Sequence, residues 1–219
     1  MPDITFEQWV KGRFDTPEGP EPWHSDYRNH PQEPPSAVSL EYLHRLFAEC
    51  GELLKKYSDR QVNEGFWYLF SPGTSNETFS LIDVALPLSE RLKAVESIYQ
   101  LYKDCFFVRC SRKLSHLGKE RDSSVNSICY MLWDVISIPA AGGKTEHKEI
   151  DAACLAVMEK ALKLDHDACR ESALHGLGHA KLYYPAEVER IIDAFLEDEK
   201  DIQPALRNYA KAARTGMVQ

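Results

Sequence analysis

The sequence is short of most features that would assign a chain to the membrane, the secretory pathway or a common enzyme class. No apolar run approaches the roughly 18–20 residues needed to span a bilayer, and the longest aromatic-rich stretch is Phe66–Phe70. The start, MPDITFEQWV, is acidic, without the basic and apolar regions of a secretory signal. Positive charge is in deficit, with 26 Lys and Arg against 34 Asp and Glu, a net charge of −8. That balance disfavours nucleic acid and anionic membrane surfaces as partners, since both select a basic face. The six cysteines, Cys50, Cys105, Cys110, Cys129, Cys154 and Cys169, contain no CxxC pair. They read as buried free thiols in a reducing compartment, which predicts a cytoplasmic location. A GxSxG elbow is missing. The segment Ala140–Thr145 contains GGKT but lacks the earlier glycine and the preceding strand of a phosphate loop, so it reads as a turn.

What remains is an ordinary globular composition over 219 residues, 43% hydrophobic and 27% charged. A chain of this mass buries about 70% of its unfolded surface, enough for a core without staples. Residues 1–35 hold seven of the twelve prolines, Pro2, Pro17, Pro20, Pro22, Pro31, Pro34 and Pro35. That density predicts an extended arm. Because the arm also carries Phe6, Trp9, Phe14, Trp23 and Tyr27, it is expected to lie pinned on the body, with a short helix near 4–11, or to reach a second copy of the chain.

From about Ser36 the apolar residues recur at helical spacing: Leu40, Leu43, Leu46 and Phe47; Leu88, Leu92, Val95 and Tyr99; Ile150, Cys154, Val157 and Ala161; Val188, Ile191, Ile192 and Phe195. Pro72, Pro87, Pro139, Pro185 and Pro204 fall where helices should start or stop. Segment 73–86 is ambiguous between loop and strand. The run Arg109, Arg112 and Lys113, with Lys119 and Arg121 nearby, reads as a solvated helix face.

Three segments align when each begins at an aspartate, Asp59, Asp122 and Asp167, with spacings of 63 and 45 residues. Each aspartate is placed as a helix N-cap. Each segment follows an amphipathic stretch, so the unit is helix, turn, capped helix. On this pattern residues 36–214 resemble the HEAT/armadillo-type α-helical repeats, and ESALHGLGHAKLYYP is similar to a segment of uncharacterised bacterial proteins of that type. The resemblance implies an all-α fold of antiparallel helix pairs, stacked as an irregular HEAT-like repeat (36–219) behind the Pro-rich arm (1–35). The uneven spacing and an extra helical piece around Cys105–His116 argue against a regular superhelix.

The polar positions of the three capped helices form a ladder: Asn63, Asn126 and Glu171; Trp67, Tyr130 and His175; then Asp134 and His179 on the last rung. In stacked repeats such helices line the partner-binding surface. The expected function is therefore a non-catalytic protein-interaction module, binding a protein partner through these eight residues without a cofactor. The alternative is a His-based enzyme, metal-dependent or not, using His175, His179 and Asp134. HxxxH on a helix puts two imidazoles on one face, about 6 Å apart along the axis. The intervening sequence is HGLGH, so the glutamate of HExxH is absent. Glu171 is too far along the helix from His179 to share an ion, and a third ligand would have to come from Asp134. The simpler expectation assigns no metal and lets Asp134 and His179 meet in a hydrogen bond or ion pair. Gly176 and Gly178 each cost about 1 kcal/mol inside a helix, which calls for a close neighbour or for ligand clearance.

Overall fold

The computed structural model describes residues 4–17, 19, 21–118, 123–136, 138 and 147–218. Asp122, Lys119, Arg121, Pro139 and the 140–145 turn lie outside the described residues, so expectations placed on them are not addressed below. Among the described residues every regular element is helical. The α-helices are α1 (Phe6–Phe14), α2 (Ser36–Leu53), α3 (Asp59–Phe70), α4 (Leu88–Gln100), α5 (Phe107–Arg109), α6 (Val125–Val135), α7 (Lys148–Leu162), α8 (Asp167–Ala180), α9 (Pro185–Asp198) and α10 (Pro204–Arg214). A π-helical stretch, Leu101–Phe106, joins α4 to α5, so the extra helical piece is a continuation of α4. Segment 73–86 carries a 3₁₀ turn, Glu77–Leu81, and no strand.

The helices form two rows. In one, α2 packs on α4, α4 on α7 and α7 on α9. In the other, α1 packs on α3, α3 on α6, α6 on α8 and α8 on α10. The later pairs, α7 with α8 and α9 with α10, also pack directly on each other. Every α-helix except the short α5 supplies apolar side chains to a single core. On α10 the stripe is Leu206, Tyr209, Ala210 and Ala213. Proline fixes the starts: Pro185 and Pro204 are the first residues of α9 and α10, and Pro35 and Pro87 cap α2 and α4. The missing N–H is one that a first helical turn leaves unpaired anyway.

Asp59 and Asp167 do not cap as the sequence suggests. Ser58 caps α3 in a reciprocal box with Gln61, leaving Asp59 as the first helical residue, where it pairs with Arg109 at 2.7 Å. His166 occupies the cap position of α8, one residue before Asp167. The basic run is likewise engaged: Arg109 also donates to the carbonyls of Leu54 (2.7 Å) and Tyr57 (3.2 Å), and Arg112 pairs with Asp165. All six cysteines are free and buried; burial pushes five of the thiols up, Cys50 to about 12, and the hydrogen bond with Cys129, then burial, raises Cys169, so none is poised as a nucleophile.

The arm is seated rather than extended throughout. Its helix α1, capped by Thr5, runs three residues beyond the expected one and buries Phe6, Trp9, Val10 and Phe14. Gly65 on α3 makes the seat: a Cβ there would lie 2.9 Å from the Arg13 carbonyl and inside the Phe14 ring. Trp23 stacks near Tyr68, with ring centroids 4.9 Å apart. Arg13, wholly buried, donates to Glu77 at 2.6 and 2.9 Å, to the Trp9 carbonyl at 3.1 Å and to the Gln32 carbonyl at 3.2 Å. The Trp9 indole completes the Glu77 shell at 2.5 Å. Removing one member of a buried ion pair leaves the other charge uncompensated. Glu77→Ala is expected to lower the unfolding free energy by about 3–5 kcal/mol, checked by urea denaturation with the far-ultraviolet signal.

Candidate functional site

Helix α8 runs through the centre of the fold, touching α6, α7, α9 and α10, and every residue from Ala168 to Gly178 is buried. Its polar side chains must therefore find partners inside the protein. Glu171 accepts from the backbone N–H groups of Ser115 (2.7 Å) and His116 (3.0 Å) and meets His116 Nδ1 at 2.6 Å. Ser172 bonds the Tyr102 hydroxyl at 2.7 Å, and that hydroxyl accepts from the Trp133 indole at 2.7 Å. Tyr102 belongs to the π-helical stretch, so α4, α6 and α8 are pinned through one phenol.

The two glycines of HGLGH face neighbours. A Cβ at Gly176 would lie 2.5 Å from Trp133 Cγ, and one at Gly178 would lie 2.5 Å from Val218 Cγ1. Close approach of α6 and of the C-terminal tail accounts for both. With α6 drawn this close, Asp134, the residue after Trp133, reaches the two histidines that flank Gly176 and Gly178. Asp134 Oδ2 lies 2.9 Å from His175 Nε2, and Asp134 Oδ1 lies 2.8 Å from His179 Nε2. The two Nε2 atoms are 3.2 Å apart. His175 is buried, Asp134 is partly open, and the His179 side chain is 48% exposed, so the cluster reaches the surface through one histidine.

Behind His175 the network continues. Its Nδ1 lies 2.5 Å from the Tyr209 hydroxyl, which lies 3.1 Å from the Tyr130 hydroxyl. The His116 ring stacks on Tyr209 at 4.3 Å. Burial first, then the hydrogen bond with Tyr130, pushes the Tyr209 phenol far up, so it stays protonated. Burial alone would also raise Asp134, but hydrogen bonds from His175 and His179 outweigh it and hold the carboxyl below its usual range. Asp134 in turn raises His179 above its ordinary 6.5, against an opposing effect of burial.

Beside the cluster opens a cavity of about 310 Å³, lined by Trp133, Asp134, His179, Leu182, Tyr183 and Tyr184. Leu182 and Tyr183 are exposed at its lip, 77% and 46%. The Tyr184 hydroxyl donates to Asp151 on α7, fixing one wall.

The eight ladder residues thus part company. Asp134, His175, His179 and Tyr130 come together. Glu171 joins them only through His116 and Tyr209. Asn126 is buried and bonds backbone groups of Ser111 and Lys113. Asn63 accepts from the Ile128 N–H at 3.3 Å, tying α3 to α6, and Trp67 lies half-buried against the core. Tyr209, His116, Trp133 and the 182–184 lip escape the sequence alignment. The apolar spacing of α10 carried the one usable signal, since it makes Tyr209 a core residue of a fourth helix in the same row.

No known family model, no curated protein and no solved structure matches this chain.

Two outcomes test this geometry. Gly176→Ala gains about 1 kcal/mol of helix propensity but must displace the Trp133 ring, an overpacking cost of about 1–3 kcal/mol. The expected result is a destabilised protein with a shifted Trp133 indole N–H resonance. In metal-free protein, Asp134→Asn is expected to move the His179 titration, followed by NMR, down toward the ordinary value. Because Asp134 raises His179, the stabilisation it gives is complete below about pH 6.5 and fades as pH rises through the higher folded value.

Proposed function

We propose that this chain is a non-catalytic interaction module of the HEAT/armadillo type, cytoplasmic, which holds a protein partner at the open end of the Asp134–His179 rung. The observation that carries this reading is the lip of the cavity. Leu182 and Tyr183 expose apolar and aromatic surface directly beside a carboxylate and an exposed imidazole. An aromatic anchor next to a polar group is the composition of interface hot spots. The two-row packing of helix pairs supports the repeat assignment, since rows of this kind leave their outer surfaces free for partners. Net charge supports a neutral or basic partner over nucleic acid. The first rung of the ladder, Asn63, Asn126 and Glu171, acts in this reading as an internal fastening, so the binding face is narrower than the full set of eight residues.

A second reading, a His-based enzyme using His175, His179 and Asp134, has one specific observation in its favour. The buried His175 imidazole sits between a carboxylate and a phenol, which is how a general base is oriented, and its neighbour His179 lines a cavity large enough for a small molecule.

Capture of partners from the native extract by wild-type protein and by a Leu182→Ser/Tyr183→Ser double variant separates the two. Both positions are exposed, so the variant should keep its fold. Loss of a specific partner in the variant is the expected result. Identical recovery by both proteins, together with turnover of chromogenic ester or phosphate substrates that disappears in His179→Ala, would favour the enzyme.

A further inference from the structure

We propose that Asp134, His175 and His179 form a binding site for a divalent first-row transition-metal ion, with zinc(II) as the reference ion. The three residues come from two helices locked together at Gly176 and Trp133, and their ligand atoms all lie within 4.8 Å of one another. Nitrogen and oxygen donors bind zinc at about 2.0–2.2 Å. Around a tetrahedral or octahedral ion, donors at that distance stand roughly 2.9–3.5 Å from each other. The separations here are 3.2 Å between the two Nε2 atoms, 2.9 Å from His175 Nε2 to Oδ2 and 2.8 Å from His179 Nε2 to Oδ1. They are close to donor–donor spacings in one coordination shell, with one carboxylate oxygen turned to each imidazole, so the carboxylate binds through both oxygens or turns to present one of them to the ion.

The second observation is the setting of His175. A ligating histidine is normally held by a hydrogen bond at its other ring nitrogen, which fixes ring orientation and tautomer. His175 Nδ1 has the Tyr209 hydroxyl at 2.5 Å, and Tyr209 is itself held by Tyr130 and covered by His116. With Nδ1–H donating to that hydroxyl, the Nε2 lone pair points toward Asp134 and His179. Three acceptor atoms would then face one another, an arrangement that a cation satisfies. Without a cation, both Nε2–H groups must aim at one carboxylate and stand side by side at 3.2 Å.

Three protein ligands leave coordination positions unfilled, as in catalytic or exchangeable sites rather than closed structural ones. The open side borders the 310 Å³ cavity. Two imidazoles and one carboxylate suit zinc, iron(II) or cobalt(II), whereas calcium and magnesium favour all-oxygen shells. The external ligand is then water or an anionic oxygen donor, such as a carboxylate, entering from the cavity. This adds an ion to the site that the interaction reading uses and rests on that reading only for the external ligand. The test contains no partner, so either can fail alone.

Full-length protein without a histidine tag is stripped with chelator, dialysed, and titrated with zinc(II) in competition with a chromophoric chelator; cobalt(II) is added separately and its visible spectrum recorded. The expected result is one ion per chain and a cobalt spectrum of mixed nitrogen and oxygen ligation. His179→Ala, at a half-exposed position, should weaken zinc binding more than about 100-fold, and Tyr209→Phe, which keeps the ring, by about 10–100-fold. His44→Ala, at a half-buried position on α2 outside the cluster, should change nothing. Thermal melts confirm that the variants fold. The absence of one-to-one binding by the wild type would overturn the proposal. So would zinc affinity unchanged in a folded His179→Ala protein, or a cobalt spectrum of thiolate ligation.

Discussion

The contact between Gly176 and the Trp133 ring sets the distance between α6 and α8, and the Asp134–His175–His179 cluster depends on that distance. Without a Cβ at position 176, the indole lies flush against the backbone of α8. Its N–H is satisfied by Tyr102, so the ring is held from both sides. Asp134 follows Trp133 in the chain, and His175 precedes Gly176. Bringing one pair into contact brings the other within hydrogen-bond range. A side chain at 176 would push the helices apart and separate the carboxylate from both imidazoles together.

A second constraint is polarity inside a fully enclosed helix. Helix α8 carries Arg170, Glu171, Ser172 and His175 at buried positions. Each finds a partner on a different element: Arg170 on the Leu162 carbonyl and Glu199, Glu171 on the 115–116 turn, Ser172 on Tyr102, and His175 on Tyr209 and Asp134. Such a helix has little freedom to slide or rotate, because any shift unpairs several groups at once. Arg13 and Glu77 do the same for the N-terminal segment. Their mutual hydrogen bonds orient α1 against the 3₁₀ turn, so a segment rich in proline is ordered by charge as well as by aromatic packing.

Much of this was legible in the residues. Helical spacing located the amphipathic helices, and the prolines marked several of their ends. The alignment of Asp134 with His179 placed them at equivalent positions of adjacent helices, and they meet. The asparagine and glutamate rung misled because register alone says which face a residue occupies, not what covers that face. Here the 110–118 excursion folds back over α6 and α8, and its backbone groups take Asn126 and Glu171 as partners. Local spacing holds no record of such a long-range cover. The cap of α3 slipped by one residue because Ser58 with Gln61 offers a reciprocal pair of bonds, while an aspartate alone offers one. Tyr209 stayed hidden because its role needs three helices at once.

The tail that closes the chain crosses the last turn of α8, with Val218 resting on Gly178, one residue from His179. A run of histidines added for purification close to Val218 would supply rival donors at high local concentration, and metal uptake by the purified material would then report the handle rather than the Asp134–His175–His179 cluster.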